Sequence, residues 1–239
     1  MKNSKINQKI IDLWAKYFKP TSDVKVPMFY DTPKKGGILF IGMNPAYNQR
    51  EVDKLVKESS IFSMKEMKEL YNYSSFIKNK DKSQRVDFLI DREEYWIEKY
   101  PFFKQMKKIA SDNKTFFQHL DLFFFKETKQ NELLKKIIEK ETKDYITFND
   151  FGKDQLKLFK EIINQHAPKL IVVANAKASQ IFKQEFADSL EWNEKRGYHL
   201  FKNNTPIFFS GMLSGQRALD VHSRERFEWQ IRQIVNPLH

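Results

Sequence analysis

The segment "LIVVANA", from Leu170 to Ala176, is the clearest strand signal in the chain. Its first five residues are all apolar, which is too short a run for a helix and typical of a strand covered on both faces. The preceding segment, "KDQLKLFKEIINQHAPK" at 153–169, has the apolar spacing of an amphipathic helix and is stopped by Pro168. A helix that leads directly into a buried strand indicates an α/β fold.

Three other segments have the character of buried strands: "ILFIG" at 38–42, "HLDLFFF" at 119–125 and "PIFFSGM" at 206–212. Helical patterns separate or follow these strands, at 50–76, from Pro101 onward, at 131–142, at 177–186 and at 223–235. This alternation predicts a three-layer α/β/α fold with a central, mainly parallel sheet of four strands.

We expect the whole chain, 1–239, to form one domain, because its length suits one sizeable α/β domain and no Gly-, Ser- or Pro-rich linker divides it. Residues 1–35 are predicted to form an N-terminal helix and a lead-in to the first strand. The apolar residues along one side of that helix are Ile6, Ile10, Ile11, Leu13, Trp14 and Phe18. The charged segment 77–92 is predicted to be a surface excursion.

Composition limits the possible functions. The formal net charge is +11, from 42 Lys and Arg against 31 Asp and Glu, which favours a polyanionic partner such as nucleic acid. A lysine-rich surface that only aids solubility would give the same charge. The absence of cysteine excludes a disulfide framework, thiol catalysis and a cysteine-ligated iron–sulfur cluster, and it fits a cytoplasmic location.

The sequence lacks the signals of several other classes of protein. No apolar run is long enough to cross a membrane, and the N-terminus lacks the apolar core of a signal peptide. The five histidines do not have the spacing of a zinc motif, so we expect no metal. Neither a P-loop nor a dinucleotide fingerprint occurs, so we expect no cofactor. Ser214 lacks the first glycine of a serine-hydrolase elbow, so a serine hydrolase is not expected.

The first strand ends in an unusual turn, Gly42-Met43-Asn44-Pro45. The amide of Asn44 both donates and accepts hydrogen bonds, so it can hold a water molecule and direct it at an electrophile. Pro45 restricts the backbone on both sides of its peptide bond, and Gly42 permits a close approach. The alternative is an asparagine that only caps the turn through its own side chain.

The last strand leads into "SGMLSGQRALDVHSRERF" at 210–227. Small residues followed by a helix N-terminus can bind phosphate through backbone N–H groups, and arginines add charge-assisted contacts. An ordinary helix start, with Ser223 as N-cap and Glu225 in the first turn, fits the same residues. In parallel sheets the carboxyl ends of the strands lie at one edge, so this loop, the turn at Asn44 and Asn175 are expected to lie at the same edge.

Together, the two strand ends resemble a known family. "ILFIGMNPAYN" at 38–48 is similar to the first motif of the uracil-DNA glycosylase superfamily, a strand followed by Gly-x-Asn-Pro, in the style of the single-strand-selective and mismatch-specific branches. "IFFSGMLSGQRALDVHSRERF" at 207–227 resembles its second motif, a strand followed by a serine-bearing loop and a helix. The likeness covers roughly 36–235 in order and layout, while only these two stretches match in residues.

The resemblance implies a DNA glycosylase that flips a nucleotide out of DNA and hydrolyses the N-glycosidic bond of uracil or another deaminated or damaged base. Gly42, Met43 and Asn44 would form the catalytic turn, with Asn44 positioning the water. An aromatic side chain would stack on the base and an amide would read its edge, and the residues assigned to base binding are Tyr47, Tyr100, Phe102 and Asn175.

The resemblance further implies that the second loop contacts DNA through Met212, Ser214, Gly215, Gln216, Arg217 and His222. DNA is therefore the expected partner, with no membrane association, and we expect a monomer. Many members of the superfamily have a histidine where Met212 stands, and methionine has no N–H or O–H group to donate to a leaving base.

Two alternatives stay open. The first is a non-catalytic protein of the same fold that binds DNA or a protein partner through the same cleft. The amide of Asn44 favours the enzyme, whereas Met212 favours this binding protein. The second is an unrelated α/β hydrolase or phosphate-binding protein, which only the serine-bearing loop supports.

Overall fold

The computed structural model describes residues 2, 4–47, 50, 53, 69–202, 204–215 and 218–236. The chain divides into two compact units, and each unit is built from three segments. Unit 1 consists of Met1–Thr32, Asn44–Tyr95 and Phe123–Ile162. Unit 2 consists of Pro33–Met43, Trp96–Leu122 and Ile163–His239.

The helices of the described residues are α1 (Ser4–Tyr17), α2 (Tyr73–Lys78), α3 (Lys82–Lys99), α4 (Lys104–Asp112), α5 (Gln130–Ile137), α6 (Asp150–Ile163), α7 (Ala176–Glu185) and α8 (Val221–Val235). The strands are β1 (Ile38–Gly42), β2 (Phe117–Asp121), β3 (Ile138–Glu141), β4 (Ile146–Phe148), β5 (Leu170–Ala174), β6 (Leu190–Asn193), β7 (Tyr198–Phe201) and β8 (Thr205–Ser210). Short 3₁₀ turns occur at Pro101–Phe103 and Ala187–Ser189.

Unit 2 contains the central sheet, which has six strands in the order β2-β1-β5-β8-β7-β6. The first four strands are parallel, as predicted, and the mainly parallel α/β class is confirmed. The predicted number of four strands is too small, because β6 and β7 extend the sheet as an antiparallel hairpin beside β8. These two strands carry polar residues on one side and lack the continuous apolar run of β1 and β5.

Helices cover both faces of this sheet. One face contributes Ile38, Phe40, Leu170, Val172 and Phe208 to a buried core that also contains residues of α4 and α8. On the other face, α7 packs through Phe182, whose ring lies 5.5 Å from Phe201 and 5.9 Å from Phe209. The three layers therefore follow from the alternation of side chains along buried strands.

The second strand ends earlier than its apolar sequence predicts. β2 stops at Asp121, and the last bond beside it runs from the N–H of Leu122 to the carbonyl of Gly42, at 3.1 Å. The following phenylalanines belong to unit 1, where the backbone N–H of Phe124 donates to Gln155 Oε1 at 2.9 Å. The run is apolar because these rings are buried in unit 1, which sequence alone does not distinguish from a longer strand.

Unit 1 is organised around the predicted N-terminal helix, which is confirmed as α1. Its Trp14 is fully buried, and its ring lies 5.5 Å from Phe151 of α6 and 6.0 Å from Phe125. At the exposed side of this contact, Asp154 accepts hydrogen bonds from Lys16 Nζ at 2.6 Å and from the Tyr17 hydroxyl at 2.7 Å. An aromatic cluster thus fixes α1 against α6.

Other segments of unit 1 differ from the sequence-based expectations. The segment 77–92, predicted as a surface excursion, lies largely in α3 and buries Val86, Leu89 and Ile90. The helix predicted over 131–142 ends at Ile137 and continues as β3, which pairs with β4. The helix predicted over 50–76 falls largely outside the described residues. None of the helices in the described part is both long and apolar enough to span a membrane.

Replacing Trp14 by alanine should remove the centre of the aromatic cluster in unit 1. We expect the free energy of unfolding to fall by about 3–5 kcal/mol, because a large cavity would be left among Phe125, Phe151 and their neighbours. Urea-induced unfolding followed by circular dichroism measures this change. The control is Trp229→Ala, which removes an exposed indole of α8 and should change stability by less than about 0.5 kcal/mol. Equal losses in the two variants would contradict this account of unit 1.

Candidate functional site

The candidate site lies in unit 2, at the carboxyl ends of the parallel strands. Gly42 is the last residue of β1 and pairs in register with Asp121, the last residue of β2. A Cβ atom on Gly42 would lie 2.3 Å from Asp121 Oδ1 and 3.0 Å from His119 Nε2. The absence of a side chain at residue 42 therefore leaves the space in which the carboxyl of Asp121 lies, and that side chain is only 4% exposed.

His119 is the second polar group at this end of β2. It lies two residues before Asp121 on the same face of the strand, and its side chain is 6% exposed. Its Nε2 atom is buried and has no hydrogen-bond partner among the residues that the structure describes. It lies 3.9 Å from Asp121 Oδ1, too far for a direct hydrogen bond. Burial lowers the pKa of His119 to about 4, so the imidazole is neutral at physiological pH.

Aromatic residues enclose His119. The ring of Phe103 lies 5.1 Å from the imidazole at an interplanar angle of 82°, and the ring of Phe102 lies 6.5 Å away at the same angle. Both phenylalanines are half-buried residues of the 3₁₀ turn before α4. Phe102, predicted to stack on a base, therefore lies beside the buried histidine and is partly accessible.

The loop after β8 reaches the same aromatic turn. Ser214 Oγ donates to the carbonyl of Phe102 at 3.0 Å, so this predicted DNA contact fixes the loop to the turn. The half-buried Met212 accepts a hydrogen bond at its carbonyl from the N–H of Leu219, at 2.9 Å. Gly215 has a φ of +86°, a conformation that favours glycine. Gln216 and Arg217, also predicted to contact DNA, lie outside the described residues.

Two further predicted site residues lie in unit 2, and one of them has a structural role. Asn175 lies at the end of β5, and its Oδ1 accepts a hydrogen bond from the N–H of Ala178 at 3.0 Å, so it is the N-cap of α7. His222 lies in the first turn of α8, with its side chain 93% exposed and its Nδ1 3.8 Å from Glu225 Oε2. Its exposure makes it accessible to a large partner.

Asn44 belongs to unit 1 and is half-buried. Its Nδ2 donates to the carbonyl of Glu127 at 2.7 Å, with longer contacts to the carbonyls of Pro45 and Phe125. The N–H of Glu127 in turn donates to the carbonyl of Pro45 at 3.1 Å. Among the described residues none donates to Asn44 Oδ1. The amide nitrogen thus holds the turn, while the oxygen is available to accept a hydrogen bond from water.

The other predicted aromatic residues are packed against neighbours. In unit 1 the ring of Tyr47 meets that of Tyr71 at 5.5 Å and 68°, and Lys25 Nζ lies 4.0 Å from its centroid. Burial, and to a lesser extent Asp53, raises the pKa of Tyr47. In unit 2 the ring of Tyr100 lies edge-on to that of Trp96, at 5.9 Å. Met43 is buried in unit 2 and contributes packing.

Sequence reasoning missed His119 and Asp121 as site residues. A signal was present, because two polar residues two positions apart in an apolar strand must lie on one face. What the sequence does not reveal is that β2 ends at Asp121 and lies directly beside Gly42. Strand order and register were needed to bring these three residues together.

No three His, Asp or Glu side chains of the described residues are grouped so that they could hold a metal ion. At the strand ends of unit 2, an imidazole and a carboxyl can form hydrogen bonds, and aromatic surface lies beside them. In unit 1, the amide of Asn44 can form hydrogen bonds. Comparison of the chain with protein-family models, curated proteins and solved structures gives no match.

Replacing Gly42 by alanine tests the close approach of Asp121. We expect a loss of about 1–3 kcal/mol in the free energy of unfolding, because the added methyl would overlap the buried carboxyl and force a shift. The double variant with Asp121→Ala should lose less than the sum of the two single variants, since it removes the overlapping atoms. The double-mutant cycle is measured by denaturant unfolding, and strict additivity would show that the two residues are not in contact.

The burial of neutral His119 should make stability fall in acid. Its folded pKa of about 4 lies below its ordinary value of 6.5, so the unfolded chain binds the proton first as the pH falls. The effect is absent above pH 6.5 and grows down to pH 4. Between neutral pH and about pH 4.5, we expect His119→Gln to lose about 2 kcal/mol less stability than the wild type.

The control for this acid effect is His222→Gln, which changes an exposed histidine and should follow the wild-type dependence. Denaturant unfolding across this pH range gives both comparisons. If His119→Gln followed the wild-type curve as well, His119 would not be buried in its neutral form.

Proposed function

We propose that this protein is a DNA glycosylase that hydrolyses the N-glycosidic bond of uracil or another deaminated or damaged base. The observation that carries the proposal is the parallel order β2-β1-β5-β8 with both motif-bearing ends on one edge of the sheet. The turn that begins at Gly42 and the loop that contains Ser214 each follow the carboxyl end of a parallel strand. Active groups in open parallel sheets gather at that edge.

Asn44 is assigned the role of orienting the attacking water. Its Nδ2 is engaged by the carbonyl of Glu127, which fixes the orientation of the amide, and its Oδ1 faces no donor among the described residues. An amide held in this way can accept a hydrogen bond from a water molecule without being able to take its proton. It therefore orients the water while the bond between C1′ and the base breaks, which leaves an oxocarbenium-like sugar and an anionic base. The oxygen of the water then bonds to C1′, and its proton passes to the released base or to solvent.

His119 is assigned the role of forming a hydrogen bond with the departing base. The thioether of Met212 cannot donate a hydrogen bond. The neutral imidazole of His119 can form one with a heteroatom of the base, because its Nε2 has no hydrogen-bond partner among the described residues. The half-buried rings of Phe102 and Phe103 offer an apolar surface on which an aromatic base can stack. A buried, unsatisfied nitrogen is costly in a folded protein, and binding a ligand would offset that cost.

The charge of the chain supports a DNA substrate. A formal net charge of +11 favours association with the phosphate backbone, independent of sequence. The affinity for DNA is therefore expected to fall steeply as the salt concentration rises. An affinity that does not depend on salt would count against DNA as the substrate.

The proposal is tested by an excision assay on single- and double-stranded oligonucleotides that carry uracil, hypoxanthine, xanthine or hydroxymethyluracil. After alkali treatment, strand breaks at the modified position are expected on at least one substrate. Complete absence of breaks on all four bases would refute the enzyme. If DNA binding persisted in that case, the non-catalytic binding protein would be the better description.

Variants of Asn44 separate its two roles. Asn44→Ala should lower excision by about two orders of magnitude, the size expected when a positioned catalytic group is lost, and leave DNA binding nearly unchanged. Asn44→Asp keeps an oxygen acceptor but loses the donor to Glu127, so it should retain more activity than Asn44→Ala. Thermal unfolding of both variants controls for the lost turn contacts. Full activity in Asn44→Ala would show that another group orients the water.

A further inference from the structure

The antiparallel half of the sheet carries a continuous row of aromatic rings that the proposed active site does not use. Trp192 of β6 pairs in register with His199 of β7, and their rings lie 4.9 Å apart at 63°. The imidazole in turn lies 5.2 Å from the ring of Phe209 of β8, at 85°. We call Trp192, His199 and Phe209 the aromatic ladder.

The ladder is anchored at one end and open at the other. Phe209 contacts Phe182 of α7 at 5.9 Å, which ties it to the helix that covers this face of the sheet. His199 and Phe209 are half-buried, whereas 54% of Trp192 is exposed. Because β6 is an edge strand, the indole lies at the edge of the sheet. Its ring packs against the imidazole of His199 on the neighbouring strand.

Positive charge accompanies the ladder. Lys183 of α7 places its Nζ 4.7 Å from the centroid of Phe209. Burial and then the charge of Lys183 lower the pKa of His199. Lys195 is exposed in the turn between β6 and β7, while the alternation of the strand directs Glu191 to the opposite face from Trp192.

We propose that the aromatic ladder is a nucleic-acid contact, on which an unpaired base of a single strand stacks against Trp192 while Lys183 interacts with the adjacent phosphate backbone. Exposed aromatic rings beside cations are the recurrent platform for single-stranded nucleic acid, because every base has a face that can stack. A base within a duplex has both faces already covered by its neighbours, so the ladder favours a single strand.

The ladder differs from the other strongly exposed tryptophan. Trp229 on α8 is 58% exposed, a fraction close to that of Trp192, but among the described residues it has no aromatic ring partner and no cation over its ring. Both tryptophans are therefore exposed, but only Trp192 packs against a neighbouring ring that lies near a cation. Trp229 thus provides a matched control.

The proposal goes beyond the proposed function and does not depend on it. It concerns binding of undamaged single strands, which a protein without excision activity would also show. The experiment therefore measures the fluorescence anisotropy of a labelled, undamaged oligothymidylate titrated with the full chain. Loss of excision in an Asn44 variant would leave this readout unchanged.

Trp192→Ala should weaken binding of the oligothymidylate by about 5- to 140-fold, the cost of losing one stacked base. Trp192→Phe keeps an aromatic face and should retain most of the affinity, which also keeps the test valid if the alanine variant folds poorly. Trp229→Ala should change the affinity by less than about twofold. Lys183→Gln should lower the slope of affinity against salt by about 0.7, as for the loss of one phosphate contact on a single strand.

Three results would overturn the proposal. The first is equal affinity in the Trp192→Ala and Trp229→Ala variants. The second is a loss in Trp192→Ala that is as large for a blunt duplex as for the single strand, because stacking of an unpaired base would then not be the cause. The third is no measurable binding of the oligothymidylate by the wild-type chain at low salt.

Discussion

The carboxyl group of Asp121 lies in the space that a side chain on residue 42 would need. Because Gly42 lacks a Cβ, β1 and β2 can end side by side with a buried carboxyl between them, in register from Ile38 to Gly42. The same contact places His119 at the edge of this space. Where β1 ends, and so where the turn toward Asn44 begins, is therefore tied to the polar residues on the neighbouring strand.

This arrangement makes His119 costly for the fold. A phenylalanine at residue 119 would fill similar space beside Phe103 without leaving a buried nitrogen unpaired. The low pKa of His119 reflects the same cost, because the burial that keeps the ring neutral also denies it solvent. Costs of this kind concentrate at functional sites, where a ligand supplies the missing partner. The fold alone gives no reason for an imidazole at this position.

The sequence was sufficient to predict the helices and strands whose apolar pattern fits only one structure. β1 and β5 are apolar throughout because both faces are covered, and α1 shows its buried stripe directly. The hairpin of β6 and β7 escaped prediction because short, half-polar strands resemble loops. The turn at Asn44 could be proposed from the sequence because its residues are contiguous.

The remaining part of the site depends on contacts between segments distant in sequence. The position of His119 and Asp121 beside Gly42 follows from the register of β2 with β1, which no local pattern encodes. Asn175 is ambiguous in the sequence, because an asparagine between a strand and a helix fits both a base-reading amide and an N-cap. Its bond to Ala178 shows the cap, which required the hydrogen-bond geometry, while the base-reading role stays a prediction.

The change from parallel to antiparallel strands at β8 divides the sheet into parts with different accessible surfaces. Parallel strands require helical crossovers, so their faces are covered and only their carboxyl ends are available for chemistry. The hairpin of β6 and β7 needs no crossover, and part of its face is left to solvent, with Trp192 exposed at the edge. The proposed glycosylase would have to hold a polymer as well as act on one base. Under the two proposals, the parallel strands provide an end for the base and the antiparallel strands provide an open face for the single strand.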